Sequence, residues 1–352
     1  MRYNNLHSFY KGKKVLVTGH TGFVGSWLCL VLDYMGAEVT GFSLEEESNS
    51  LYEKIKKDFK LVNYYGDLRN IDEIRKCMEI SQPDIVFHLA AFGFIKECRN
   101  DPYTAFFSNV MGTVNLFEVI RENQSVKDIV VASSDKVYRN DDTATQLFNE
   151  ENPLGGSDPY SSSKTCEDLI VQSYYDTYLK IRGKSVTILR PSNIVGGGDH
   201  NVSRLIPSII CSIENNQEIE IRNPEAVRPW QYILDAVDAY VVTAAKAWNT
   251  GAIQIYNIGP TPENIKSVGE IVEILIKSSG KTGSVHLAVS DSQSSIEKRY
   301  LGLDIEKIKE EIGWEPNKGL EQTIGDTYDF YKQWEHGNSY QLCRKYIEKY
   351  YE

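Results

Sequence analysis

The stretch Asp158-Pro159-Tyr160-Ser161-Ser162-Ser163-Lys164 sets a phenol and an ammonium group four residues apart. On a helix that spacing puts both on one face, about one turn from each other. An ordinary surface helix can carry such a pair with no chemistry attached. The chemical alternative is an acid/base pair. A tyrosine with its usual pKa near ~10 is a poor base at neutral pH, and a nearby positive charge favours its anion. The elements that hold the two side chains must decide.

Those elements alternate. Short apolar, β-branched runs at 14–19, 37–42, 60–67, 84–91, 128–134 and 185–191 read as strands, and segments near 24–35, 70–80, 104–123 and 159–182 read as helices. Nearly continuous apolar strands separated by helices predict a parallel sheet buried on both faces. The fold class is then α/β, a Rossmann-like doubly wound sheet. After Pro191 the rhythm changes to a Gly-rich loop, "NIVGGGDHNVSRLIP", and then to shorter strand-like pieces in "IEIRN", "QIYNIG" and "VHLAV". This predicts a dinucleotide-binding domain over residues 1–191. Residues 192–352 form mainly a smaller substrate-binding lobe, interleaved with the main sheet. From about Leu320 the chain reads as helical, rich in tyrosine and packed on the domain.

A second chemical pattern follows the first strand. In "VTGHTGFVG", Gly19, Gly22 and Gly25 permit a tight turn and let a pyrophosphate approach the backbone at a helix N-terminus, with Thr21, Phe23 and Val24 in the same turn. The end of the second strand separates NAD from NADP. Ser43 occupies the usual acidic position there, and Glu45 to Glu47 follow without an intervening Arg or Lys. A 2′-phosphate would meet repulsion, so NAD is the expected cofactor. Asp67 and Leu68, in "YGDL", lie where an adenine ring is expected. Leu89, Ala90 and Ala91 end the fourth strand with little bulk.

The bulk composition narrows the function. The chain has 352 residues, 41% hydrophobic and 25% charged, which excludes disordered and fibrous classes. A net charge of −11 disfavours nucleic-acid binding, so any phosphate ester must meet a few local cations. No apolar run approaches the ~20 residues of a membrane helix, and the first residues lack the apolar centre of a signal peptide, so a cytoplasmic protein without a membrane partner is expected. The six cysteines are scattered without a CxxC, and the histidines are dispersed. Buried thiols are expected, with no disulfide and no metal.

Taken in order, Gly19, Gly22, Gly25, Asp67, "HLAA", Asn109 in "NVMGT", "SSDKVY" and the Tyr160/Lys164 pair resemble the extended short-chain dehydrogenase/reductase family over almost the whole chain. "TGHTGFVGSWL", "SSDKVY", "DPYSSSK", "IVGGGD", "RLIP" and "IRNPEAVRPWQYIL" are similar, more narrowly, to CDP-glucose 4,6-dehydratases. That resemblance implies NAD-dependent formation of a 4-keto-6-deoxy sugar nucleotide. It assigns Tyr160 to the 4-hydroxyl proton, Lys164 to lowering the Tyr160 pKa and binding the nicotinamide ribose, and Ser134 to the same hydroxyl. It makes Asp135 the acid and Lys136 the base of the elimination, the lysine pKa falling toward ~7–8. Arg228 and Arg204 are expected at the phosphates, with Asn109 and Asn193 on the sugar nucleotide. Arg190 is either a further contact or structural, and Trp230 either stacks or fills core. The helices near 104–123 and 159–182 are expected to pair with their copies in a homodimer.

Two departures stand out from the family pattern: "FGFIK" at 92–96, where relatives have Gln-Pro-Leu-Val-Arg, and Ser203, where Asp is common. Two other functions compete. A sugar-nucleotide 4-epimerase would use Tyr160 and Lys164 but has no need of Asp135 and Lys136. A non-catalytic dinucleotide sensor would need neither pair.

Overall fold

The structure, a computed structural model, describes residues 2–142, 146–221, 223–281, 287–289, 298–334 and 337–352. Arg222 of "IEIRN" and Val285 and His286 of "VHLAV" lie outside the described residues. The strands are β1 (Lys14–Thr18), β2 (Glu38–Ser43), β3 (Val62–Tyr65), β4 (Ile85–His88), β5 (Asp128–Ala132), β6 (Ser185–Pro191), β7 (Asn193–Val195), β8 (Ile219–Ile221), β9 (Val227–Tyr232), β10 (Ile253–Ile258), β11 (Ile265–Ser267) and β12 (Leu287–Val289).

Seven of them form one parallel sheet in the order β3-β2-β1-β4-β5-β6-β10. The strand order reverses between β1 and β4, which opens a crevice at their carboxyl ends. Both faces are covered, which is why the strands read as continuous apolar runs. One face packs Val15 and Val17 against Trp27, Leu28, Tyr240 and Val241. The other packs Leu16 and Ile129 against Phe117, Ile120 and Val171. The six expected strands match β1 to β6 with ends moved by a few residues.

Helix boundaries follow their caps. The helix Ile71–Ser81 starts where the Asn70 side chain accepts from the Asp72 amide. The expected helix at 104–123 is instead a short helix Pro102–Phe106, a wide π-type turn Phe107–Met111 and a helix Gly112–Glu122. Likewise 159–182 is a helix Pro159–Tyr174 that widens over Tyr175–Leu179 and tightens over Lys180–Arg182 before Gly183 ends it at φ 65°. Asp158 caps this helix by accepting from the Tyr160 and Ser161 amides, with Pro159 at its first position. The cap fixes Tyr160 in the first turn.

"QIYNIG", from the second part of the chain, joins the main sheet. It becomes β10, the edge of the main sheet beside β6. Strands β11, β9 and β7 form a separate three-stranded sheet, and β12 pairs with β8. The helices Leu320–Trp334 and Ser339–Tyr351 deliver Phe330, Trp334, Tyr346 and Ile347 into the core that holds Trp27. All six cysteines are free thiols; Cys29, Cys77, Cys98 and Cys343 are buried, whereas Cys166 is half-buried and Cys211 is exposed on the helix Leu205–Glu214. The expectation of buried thiols thus fails at Cys211. Among the described residues there is no helix long and apolar enough to cross a membrane and no cluster of three metal-ligating side chains.

Candidate active site

The turn after β1 is shaped for a close approach. Gly19 has φ 76° and donates its amide to the Phe42 carbonyl at 2.8 Å. A Cβ there would lie 2.8 Å from the Ala90 Cα, and one on Gly25 would lie 2.1 Å from the Gly19 carbonyl oxygen. Gly22 caps the helix Phe23–Tyr34 with no side-chain hydrogen bond, so the first helical amides, from Phe23 and Val24 on, stay available to an anion. This cradle fits a dinucleotide pyrophosphate.

A buried chain of hydroxyls holds the turn against the end of β4. Thr18 Oγ1 accepts from the Leu89 and Ala90 amides at 3.2 Å and therefore donates to His88 Nδ1 at 2.8 Å. His88 Nε2 then donates to Thr113 Oγ1 at 3.0 Å, and Thr113 donates to the Asn109 carbonyl at 2.7 Å. Burial, aided by the Lys164 charge, pushes His88 down to about 3, so the ring is neutral. Leu89 and Ala90 are half-buried and Ala91 is exposed at the crevice.

At the expected ribose and adenine edge, Thr21 Oγ1 and Ser43 Oγ lie 2.8 Å apart. The acidic run is less bare of cations than its sequence reads. Lys56 pairs with Glu46, which also takes the Tyr65 hydroxyl, and His200 reaches Glu47 at 3.0 Å. Asp67 is gripped by Arg69, whose Nε lies 3.0 and 2.9 Å from its two oxygens. Burial raises the Asp67 carboxyl, but the Arg69 contacts outweigh it and hold it below the usual range. Leu68 is buried against Gly112.

The catalytic candidates converge at the ends of β5 and the helix Pro159–Tyr174. Ser134 caps a single tight turn, Asp135–Val137, by accepting from the Lys136 amide at 3.2 Å. Its hydroxyl donates to Asp135 Oδ1 at 3.2 Å and also bonds Tyr160. Ser134 thus touches both the phenol and the acid. Lys136 Nζ sits 3.1 Å from both Asp135 oxygens and 3.4 Å from Asn193 Oδ1. Asp135 is buried and Lys136 half-buried.

Lys164 does not act on Tyr160 as simply as the four-residue spacing suggests. Its Nζ donates to the Ala132 carbonyl at 2.8 Å and to Glu167 Oε2 at 2.6 Å. Burial pushes the Tyr160 phenol well above its ordinary value; the Ser134 hydrogen bond opposes this, and the charges of Asp135, Glu167 and Cys98 add to it. In the chain by itself, burial therefore outweighs any lowering of the phenol by a neighbouring charge. Glu167 was missed in the sequence, although its place three residues after Lys164 is a legible helical contact.

On the substrate side the candidates divide. Arg228, in β9, is buried and donates to the Val227 carbonyl at 2.8 Å. Arg204 pairs with Asp199 at 3.0 Å and lies 4.8 Å over the ring of Phe94, so the departing "FGFIK" loop and an expected phosphate contact are neighbours. Asn109 is buried; its Oδ1 accepts from the Phe92 amide at 2.6 Å, and its Nδ2 donates to the Phe92 carbonyl at 3.2 Å and Ser163 Oγ at 2.9 Å. Its amide is spent on holding that loop to the helix Pro159–Tyr174. Arg190 binds Asp168 at 2.8 Å and the Tyr138 hydroxyl at 3.0 Å, which makes it structural. Trp230 fills core beside Ile206 and Ile271 and donates to the Lys266 carbonyl at 2.9 Å. Ser203 bonds Asn201 at 2.6 Å.

Residues 15–259, from β1 through β10, match the model of the NAD dependent epimerase/dehydratase family. The chain belongs to this family. It is 36% identical over 346 residues to a CDP-glucose 4,6-dehydratase of Salmonella typhimurium, covering 96% of each chain. Among solved structures, the dTDP-glucose 4,6-dehydratase of Bacillus anthracis in complex with NAD superposes with a TM-score of 0.75 at 27% identity, over 91% of this chain and 96% of that one. The UDP-glucose 4-epimerase of Thermotoga maritima superposes with a TM-score of 0.80 at 21% identity, over 92% and 99%. That last likeness shows the fold alone. The family's dinucleotide is NAD, and the turn at Gly19, Gly22 and Gly25 is shaped for it.

Proposed function

We propose that the protein is a sugar-nucleotide 4,6-dehydratase acting on CDP-glucose, with Ser134, Asp135, Lys136, Tyr160 and Lys164 as its catalytic residues. The observation that carries this reading is the Asp135–Lys136 pair at 3.1 Å, set on one turn immediately after Ser134. An epimerase needs an acid/base group only at the 4-hydroxyl. Loss of water needs a second acid and a second base, and this site holds both. The likeness to the Salmonella typhimurium CDP-glucose 4,6-dehydratase supports the same substrate.

NAD, when bound, supplies the hydride acceptor at C4 and the hydride donor at C6. Tyr160 takes the proton of the 4-hydroxyl, steadied by Ser134. With a ketone at C4, the C5 proton becomes acidic. Lys136 as free amine removes it, while Asp135 as free acid protonates the departing 6-hydroxyl. The pair reaches that state from its ion-paired form by passing one proton from the ammonium to the carboxylate, with no change of net charge. Lys136 then returns a proton to C5. At the end of the cycle Tyr160 holds one proton more and Asp135 one fewer, and Ser134, in contact with both, lies on the route that resets them.

In this reading, Gly19, Thr21, Gly22, Phe23, Val24 and Gly25 hold the pyrophosphate. Ser43, Asp67 and Leu68 face the adenosine half, and Leu89, Ala90, Ala91 and Lys164 the nicotinamide half. Arg204, Arg228 and Asn193 meet the substrate, and Asn109 acts through the Phe92 loop. Residues 1–191 carry the cofactor and 192–352 mainly shape the sugar-nucleotide side. The protein works as a cytoplasmic homodimer. Incubation with CDP-glucose and a panel of other nucleotide hexoses tests the reading: CDP-glucose should yield a product lighter by one water. A product of unchanged mass, inverted at C4, would establish the epimerase instead.

A further inference from the structure

Glu167 lies one turn beyond Lys164 on the helix Pro159–Tyr174 and is fully buried. Its Oε2 accepts from the Lys164 ammonium at 2.6 Å, and among the described residues its Oε1 meets no hydrogen-bond partner. A carboxylate removed from water with one oxygen unserved is costly and persists beside a compensating charge. Nothing in the cofactor cradle or the elimination pair calls for a carboxylate at this place. Lys164 has three donors: one goes to Ala132, one to Glu167, and the third remains for a ribose hydroxyl.

We propose that Glu167 is a positioning residue that works through Lys164: it fixes the ammonium between β5 and the cofactor, and its own charge sets how much of the Lys164 field reaches Tyr160. The inference rests on Tyr160 being the base for the 4-hydroxyl. Burial pushes Glu167 up to about 7, against the pull of the Lys164 charge and hydrogen bond and with a further push from Asp168. Near neutral pH the carboxyl therefore exchanges its proton. When ionised, it cancels much of the Lys164 charge at Tyr160. When protonated, that charge acts on the phenol undiminished.

Other charged and titratable groups surround the pair. Asp168, next on the helix, is neutralised by Arg190 of β6 at 2.8 Å. From β4, His88 is neutral. From the helix Ile233–Ala247, Tyr240 faces both Tyr160 and Glu167 and is itself raised by burial. Cys98, from the helix Ile95–Asn100, and Asp135 bear on Tyr160.

The test is an ultraviolet difference titration of phenolate in the purified, NAD-loaded protein, with Tyr160→Phe as the blank. In Glu167→Gln the Tyr160 phenolate should appear at a pH lower by roughly one unit, as removal of one nearby charge implies. An unchanged or upward titration in Glu167→Gln overturns the proposal. Should Glu167→Gln not fold, Glu167→Asp, with a shorter reach to Lys164, should move the titration, and no movement overturns the idea. The titration needs no sugar nucleotide. A protein that dehydrates none of the panel leaves it standing, whereas normal dehydration with an unmoved titration overturns the Glu167 role alone.

Discussion

Arg190 of β6 and Asp168 of the catalytic helix form a fully buried ion pair at 2.8 Å. The pair ties the helix that carries Tyr160 and Lys164 to the sheet, and Arg190 extends the tie to the Tyr138 hydroxyl at 3.0 Å. Breaking a buried pair on one side leaves the other charge uncompensated, at a cost of about 3–5 kcal/mol. Arg190→Met should lower unfolding stability by that order in urea denaturation. Adding Asp168→Asn should restore part of the loss. A phosphate-binding role for Arg190 would instead raise KM and leave stability alone.

With the Asp135–Lys136 pair serving only elimination, as proposed, oxidation at C4 should survive without it. Lys136→Ala and Asp135→Asn should lose dehydration by ~10²–10⁴-fold, the usual contribution of a general acid or base. Both should still reduce bound NAD in a single turnover with the true substrate. Tyr160→Phe should block both steps. In heavy water the native enzyme should place deuterium at C5 and carry the C4 hydrogen to C6 of the same molecule. Native-rate dehydration by Lys136→Ala would move the base to another residue.

The proposed dimer has a visible face. Tyr103, Phe107 and Met111 on the segment before Gly112, and Leu169 and Ile181 on the segment after Pro159, are large apolar side chains left exposed. Large exposed apolar side chains on these two segments are what a dimer face built from them would bury. Light scattering at micromolar concentration should give twice the chain mass. Tyr103→Lys with Leu169→Lys should shift the protein toward monomer, and an unaltered mass would relocate the interface.

Stability should fall with pH because of Asp128. This residue opens β5, at the opposite end of the strand from Ser134, and is fully buried. Burial raises its carboxyl well above the ordinary value, and the Ile129 amide offsets this only in part. Above about pH 4 the unfolded chain ionises here while the folded chain keeps the proton, so the folded state binds more protons and loses stability as pH rises. That loss stops once pH passes the folded-state value. Asp128→Asn removes the titration, so it should stabilise the protein more at pH 8 than at pH 5 in parallel urea melts. An equal effect at both values would mean that Asp128 is ionised in the fold.

The sheet was legible because burial on both faces writes itself as unbroken apolar runs, and the catalytic helix because Asp158 and Pro159 mark its start. The break of the expected helix at 104–123 was not: Asn109 lies in that widened turn, and its amide holds Phe92 and Ser163, contacts made by residues distant in sequence. The balance of forces on the Tyr160 phenol was not legible for a similar reason. The four-residue spacing gave the neighbour, but the Lys164 ammonium is turned to Ala132 and Glu167, and burial, which spacing does not report, dominates the phenol. The acidic run at 45–47 looked free of cations because Lys56 arrives from another element. Arg204 stacking on Phe94 joins two loops over a hundred positions apart, which no local pattern announces.

The position of β10 has a consequence for how the chain is made. A nascent chain that has emerged only through Pro191 carries six strands and the whole catalytic pair, yet β6 is then an open edge, ready to pair with another chain. It also lacks the helix Ile233–Ala247, whose Tyr240 and Val241 cover one face of the sheet, and Asn257, whose Oδ1 anchors Tyr138 at 2.6 Å. Synthesis must run on through β10 before the first half can close. A fragment cut at residue 191 should therefore aggregate rather than bind NAD.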